Sequence, residues 1–153
     1  MNKPEVIQKL NRAIALELAG VIQYNQYSAV LMGPDRRVWH ELFEDMSKGA
    51  LKHARTFAIR VVALGGTPTI EHAPVKQATD ITTMLNNALE LERSLVQAYS
   101  ETLELAKDSP GYRNLLEDII WHEQEEVEEL EIFLNKVQKA AAADAKRAGK
   151  AAS

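Results

Sequence analysis

A glutamate stands where the first long helix of this chain should carry a core leucine. Stepping alternately by three and four residues gives Ile7, Leu10, Ile14, Glu17, Val21, Tyr24, Ser28 and Leu31. This is the apolar seam of one amphipathic helix with Glu17 at its centre. Burying a carboxylate without a partner costs on the order of several kcal/mol, so the fold has to supply a cation, a proton or a metal at that level. The rest of the chain is constrained to provide it.

Proline and glycine divide the body into four helical stretches. Pro4 suits a first helical turn, and the first helix is expected to run to Gly33-Pro34. A second runs from about Asp35 to Gly65-Gly66-Thr67-Pro68. A third starts near Thr79 or Asp80, either of which can cap it, and continues to Asp108-Ser109-Pro110-Gly111. The fourth continues to about Val137. The first and last connections are short, which makes each pair antiparallel. The middle connection is long enough, at roughly 3.4 Å per extended residue, to return along the whole bundle. The expected fold is therefore all-α: an antiparallel four-helix bundle over residues 1–139 with one long crossover.

With 153 residues, 46% of them hydrophobic, the chain reads as one soluble domain with a real core. It contains no cysteine, which removes thiolate chemistry, thiolate zinc sites and disulfides. MNKPEVIQKLNRAI lacks the apolar core of a signal peptide, and no apolar run approaches the roughly 20 residues of a spanning helix. A cytoplasmic protein without membrane contact is expected. The formal charge of -4 divides unevenly: residues from Lys136 onward carry a net +4, leaving -8 on residues 1–135. Residues 140–153 form a basic, alanine-rich tail with nothing larger than alanine to bury, and disorder is expected there.

The other helices also place polar residues on apolar faces. In the third, Leu85, Leu89, Glu92, Val96, Tyr99 and Leu103 repeat the first seam, again with tyrosine seven residues after glutamate. ALEL occurs at 15–18 and 88–91 and would pair Glu17 with Glu90 instead. The row through Glu90, however, is Thr83, Asn87, Ser94, Gln97 and Glu101, a solvated face. The second helix buries Trp39, Leu42, Met46, Ala50, Phe57, Val61 and Leu64, with His53 on the same face. The fourth shows Leu116, Ile119, Glu123, Glu126, Leu130, Phe133 and Val137, so two carboxylates face inward one turn apart. Residues 50 and 53 correspond to 123 and 126 in an internal repeat of two hairpins, and position 50 is alanine.

Each residue has a plain structural explanation. His53 alone could be a hydrogen-bonded core histidine. WHEQEEVEEL could be an acidic surface, and Tyr24 and Tyr99 core aromatics with hydrogen-bonded tips. Arg60, two turns beyond His53, could neutralise one glutamate. Four inward carboxylates nevertheless exceed what one arginine and one histidine offset, and their convergence from all four helices favours a metal site.

LNRAIALELAGVIQY, HARTFAIRVVALGGTP and LEDIIWHEQEEVEELEIFL resemble the first, second and fourth helices of the ferritin-like superfamily, and of its bacterioferritins and small ferritins in particular. The resemblance covers roughly residues 5–135. It implies a di-iron carboxylate site with one glutamate from each of the first and third helices and a Glu-x-x-His pair from each of the others. Carried over, Glu17 and Glu92 match the single glutamates, His53 the histidine of the second helix and Glu123 the glutamate of the fourth. Ala50 stands where a metal-bridging glutamate is expected, and Glu126 where a histidine is expected.

Loss of the bridge should leave one strong and one weak position, as a di-iron or a mono-metal site. Glu126 should favour harder ions such as Fe(III), Mn(II) or Mg(II). His122, one turn before Glu126, is a partial substitute for the missing imidazole. Leu51 occupies the position of the bacterioferritin haem methionine, so no haem of that type is expected.

Two functions remain open: iron binding, oxidation by O2 or peroxide and storage, which is ferroxidase chemistry; or a degenerate shell protein with a structural, metal-buffering or DNA-associated role. The resemblance implies a homo-oligomer of 12 or 24 chains, and Trp39, Tyr27 and Phe43 are expected to supply apolar surface for it. The basic tail is a candidate for weak contact with nucleic acid.

Overall fold

The computed structural model describes residues 1–152. Four helices account for its architecture: α1 (Lys3–Val30), α2 (Arg36–Ala63), α3 (Ile81–Ala106) and α4 (Pro110–Ala151). α1 packs along α2, α3 along α4, and the two hairpins meet through α1 and α3. The expected all-α bundle and its breaks are thus observed, and no described helix is long and apolar enough to cross a membrane.

The helix ends follow local chemistry. Pro4 and Pro110 occupy first-turn positions, where a missing N–H costs nothing. Asp80, rather than Thr79, caps α3, accepting the Thr83 N–H at 2.9 Å. α2 closes with paired bonds from Gly65 N–H to Val62 and from Gly66 N–H to Val61, both 2.9 Å. Gly65 takes a φ of +90°, the left-handed cap that glycine adopts without steric cost. A Cβ on Gly66 would come within 2.8 Å of Ile7, so this turn seats directly on α1.

The crossover then climbs α1 as a strap. Asn11 Nδ2 donates to the Thr67 carbonyl and its Oδ1 accepts the Thr69 N–H; Ala73 N–H donates to the Ala15 carbonyl. Higher up, Gln23 Oε1 accepts the Lys76 N–H, and Tyr27 donates to the Lys76 carbonyl at 2.6 Å. Polar groups spaced along one helix face therefore fix the connection that makes the two hairpins one bundle.

The core comes in two parts. One contains Tyr24, Tyr27, Phe43, Met46, Met84 and Leu130; the other contains Leu10, Ile14, Phe57, Leu95, Tyr99 and Leu116. On every helix the gap between them falls at the inward polar residues, so the bundle has a charged layer between two apolar ones.

Three expectations need correction. Residues 140–151 are helical: α4 does not stop near Val137, because alanine has the best helix propensity, no proline follows Pro110, and the single Gly149 is too little to end the helix. All described residues from Gln138 onward are exposed, so this end gains no packing. Tyr27 and Phe43 are wholly buried within one chain, in a cluster with ring centroids 5.3 Å apart, and Trp39 packs edge-on against Phe133. They offer little surface to a second copy. The exposed apolar residues are others: Ile22, Leu51, Ile59, Val62 and Ile70 among them.

Candidate metal centre

Glu17 on α1, His53 on α2, Glu92 on α3 and Glu123 on α4 meet in the polar layer, where the three carboxylates are each 1% exposed. Glu90, the competing register, lies outside and pairs with Lys76.

Two tyrosines cross between hairpins to hold the glutamates. Tyr99 of α3 donates to Glu17 Oε1 at 2.6 Å, and Tyr24 of α1 donates to Glu92 Oε1. Each glutamate is therefore oriented by the tyrosine seven residues beyond the other. The repeated Glu-to-Tyr spacing was the sequence signal, although it did not disclose the exchange between helices.

His53 Nδ1 lies 2.9 Å from Glu123 Oε1 and 3.3 Å from Glu17 Oε1. The approach to Glu123 is not directed as a hydrogen bond, and among the described residues that buried oxygen has no hydrogen-bond partner. A buried carboxylate oxygen in that state is expensive, and the His53 imidazolium 2.9 Å away offsets part of that cost.

The donor atoms form two triads. Those of Glu17, His53 and Glu123 lie within 4.8 Å of one another, and so do those of Glu92, Glu123 and Glu126. Glu123 is common to both.

The protonation pattern follows from burial. Desolvation lowers the affinity of His53 for a proton, but the carboxylates of Glu123 and Glu17 outweigh it and hold the imidazole up to about 10. Burial raises Glu17, against the pull of His53 and Tyr99. Burial, with the charge of Glu123 beside it, raises Glu92 well above the carboxylate range, although the Tyr24 hydroxyl works the other way. Burial likewise pushes Glu123 up to about 7 and Glu126, with Glu92 nearby, up to about 8. Near neutral pH, without a metal, the layer thus holds protons where a cation would otherwise compensate its carboxylates, with imidazolium as the main counter-charge. Hard carboxylate oxygens and one imidazole, close together and short of positive charge, fit a divalent transition ion.

Glu126 is half-buried at the edge of this layer. α2 and α4 do not approach closely, and two grooves open between them. One reaches His53 past Lys52, Thr56, Asp118 and His122; the other reaches Glu126 past Asp45 and Glu129. His122 is exposed and lines the His53 groove, its Nδ1 3.1 Å from the Asp118 carbonyl oxygen. Arg60 makes no ion pair with the cluster among the described residues; it lies beside Tyr112 and Leu115, with its Nε buried and unpaired. Asp45 and Glu129 are the residues that sequence reasoning missed, because exposed acidic positions on helices carry no periodic signal.

Residues 7–140 match the family model for a ferritin-like domain. The chain belongs to the ferritin-like family. Among its relatives, a bacterioferritin of Desulfovibrio desulfuricans is 32% identical over 129 residues, covering 80% of this chain and 70% of that protein. A bacterial ferritin of Neisseria meningitidis serogroup B is 28% identical over 112 residues, 70% of each. A ferritin-like di-iron carboxylate protein from Bacillus anthracis superposes with a TM-score of 0.84 at 34% identity, over 86% of this chain and 96% of that one. The dodecameric thioferritin of Bacteroides fragilis gives 0.85 at 21% identity, over 94% and 92%, a likeness of fold. The bundle, its long crossover and the bacterioferritin resemblance thus stand as read from the sequence.

Proposed function

We propose that this ferritin-like protein binds Fe(II) as substrate at Glu17, His53, Glu92, Glu123 and Glu126, and that O2 or peroxide oxidises it to Fe(III) for storage. The observation that carries this reading is the pair of buried triads joined at Glu123. Two Fe(II) ions held there give up one electron each, enough with two protons to reduce one O2 to peroxide. The tyrosines fix Glu17 and Glu92, the two grooves admit ions and oxidant, and the flanking apolar layers limit water.

The bacterioferritin relatives and the di-iron carboxylate neighbour support iron over other metals, with Mn(II) a competing ion of suitable hardness. The family resemblance implies a cytoplasmic setting and a closed shell of 12 or 24 copies, 24 being the more bacterioferritin-like number. The exposed residues Ile22, Leu51, Ile59, Val62 and Ile70 are the apolar surface available to it.

Ala50 favours a second reading, a shell that buffers metal without efficient turnover. The exposed basic helix after Gln138 adds weak contact with nucleic acid, amplified by the number of copies. Anaerobic Fe(II) titration of the apo protein, followed by O2, separates the readings. Two Fe(II) bound per chain and oxidised within seconds supports storage chemistry; binding with oxidation no faster than in buffer supports the buffer. If Glu17→Ala, His53→Ala and Glu92→Ala each leave iron and manganese binding unchanged, both fail, and the cluster is a satisfied polar core.

A further inference from the structure

Between α1, the crossover and α3 lies a cavity of about 200 Å³, none of whose lining residues belongs to the metal centre. Its walls are apolar where Leu16, Pro74 and Leu91 line it and polar at Gln23, Asn87 and Ser94. The exposed ion pair of Lys76 with Glu90 lines it as well. Gln23 is only 2% exposed, and its Nε2 has no hydrogen-bond partner among the described residues. A buried donor left unpaired is costly, so this cavity carries a demand that the fold itself does not meet.

The backbone of Lys76 fixes both amides. Its N–H donates to Gln23 at 3.0 Å, which requires the oxygen there and leaves Gln23 with an NH2 group to offer. Its carbonyl takes the Tyr27 proton at 2.6 Å, so the Tyr27 oxygen is the acceptor for Asn87 at 2.9 Å, and Asn87 turns its nitrogen that way. Asn87 keeps a carbonyl oxygen that bonds to no other described residue. The cavity therefore offers one amide donor and one amide acceptor, from two helices, between apolar walls.

We infer that this cavity binds a small uncharged ring whose edge carries a carbonyl beside an N–H, the class of lactams, imides and pyrimidine bases. The ligand carbonyl accepts from Gln23 Nε2, its N–H donates to Asn87 Oδ1, and its faces pack on Leu16, Pro74 and Leu91. Charge works against binding. An ion has to break the pair of Lys76 with Glu90 or leave its own charge against apolar walls, and one amide donor does not replace the hydration of a carboxylate. Size narrows the class further: the cavity lies below the roughly 300 Å³ at which sites for drug-sized ligands begin, which suits a single ring. Because the site joins α1, the crossover and α3, its occupant holds the strap in place and stabilises the folded chain.

Uracil is the probe, with two controls: uracil methylated at both ring nitrogens, which keeps the carbonyls and loses the N–H groups, and propionate, which is charged. Equilibrium dialysis of the full chain should give one uracil per chain with a Kd of about 1 mM. Saturation-transfer NMR should mark its ring protons, and saturating uracil should raise the melting temperature by a few degrees. Both controls should bind about tenfold more weakly or less. Gln23→Glu keeps the acceptor for the Lys76 N–H and removes the donor, whereas Ser94→Leu fills the cavity from α3 and leaves both amides in place. Each should weaken uracil binding about tenfold or more in protein whose helical circular dichroism matches wild type, and Ser94→Leu decides alone if Gln23→Glu does not fold. Uracil that fails to bind even at about 10 mM, tenfold above the expected Kd, overturns the inference and leaves Gln23 to a water molecule. Binding unchanged in Ser94→Leu, which places uracil elsewhere, overturns it too. So does equal binding of all three probes, since the amide edge is then not what the cavity reads.

Discussion

The two hairpins are the same scaffold with different contents. α1 and α3 each contribute one buried glutamate and the tyrosine that orients the other's glutamate, so these halves are interchangeable in design. α2 and α4 are not: α2 brings Ala50 and His53, and α4 brings Glu123 and Glu126 at the corresponding positions. The second hairpin therefore holds three carboxylates of the layer and the first holds one carboxylate and the imidazole. Backbone symmetry constrains where a ligand can stand; it leaves its chemistry free to diverge.

The largest effect should come from the residue that both triads share. Glu123→Ala is expected to weaken binding at both positions by about 100-fold or more, whereas Glu17→Gln should weaken the His53 position alone, by roughly 10- to 100-fold. Calorimetric titration with Mn(II) and Zn(II) measures both. Equal losses in the two variants would mean that Glu123 is not a bridge and that the hairpins contribute independently.

Making the first hairpin resemble the second is the next test. Ala50→Glu places a second carboxylate beside His53, and the centre should then bind its second ion about tenfold more tightly and oxidise Fe(II) faster. Ala50 faces Gly20, where a Cβ would stand only 3.4 Å from the Ala50 Cβ. The new side chain must use the space glycine leaves, and its buried charge should destabilise the metal-free protein. Faster oxidation without tighter binding would show that position 50 acts on the oxidant rather than on the ions.

The seams, breaks and crossover were legible in the sequence because each follows from local rules: period, cap, proline and glycine. Glu17, His53, Glu92 and Glu123 were legible as well, since a polar residue in an apolar row is conspicuous. Their pairing was not. That Tyr99 reaches Glu17 and Tyr24 reaches Glu92 depends on the axial offset of α1 against α3, which no single helix encodes. The same holds for Arg60, assigned inward by its spacing from His53; at seven residues the helix places it on the right face but about 10 Å further along, beside Tyr112.

Proton linkage gives a smaller effect with a definite sign. Glu123, Glu126 and His53 all bind protons more tightly folded than at their ordinary values, at about 7, about 8 and about 10. Their contribution to the metal-free fold is fully present below the unfolded values of 4.5 and 6.5 and is lost as pH rises through the folded ones. The melting temperature of the metal-free protein should fall by several degrees between about pH 6 and pH 9. Saturating Mn(II) should flatten that decline, because the ion replaces the protons and binds better as they leave. A metal-free curve that rises across this range would contradict the protonated layer.

The smallest effect is expected where the hairpins differ in length rather than in ligands. α4 has 42 residues against 28 in α2, and the excess is the exposed basic end. It buries no apolar side chain beyond Val137 among the described residues, so its helicity rests mainly on alanine propensity and backbone bonds, and a segment without packing frays easily. Truncation after Lys139 should move the melting temperature by no more than about 1 °C, since only solvent-facing residues are lost. It should also remove any retardation of DNA seen at low salt, because Lys146, Arg147 and Lys150 go with it and each phosphate contact adds to the salt dependence. Retardation that survives the truncation would assign nucleic-acid contact to the acidic body, against its charge. A large loss of melting temperature would instead mean that in the assembled protein this helix lies against a neighbouring copy, and that the second hairpin's extra length serves assembly.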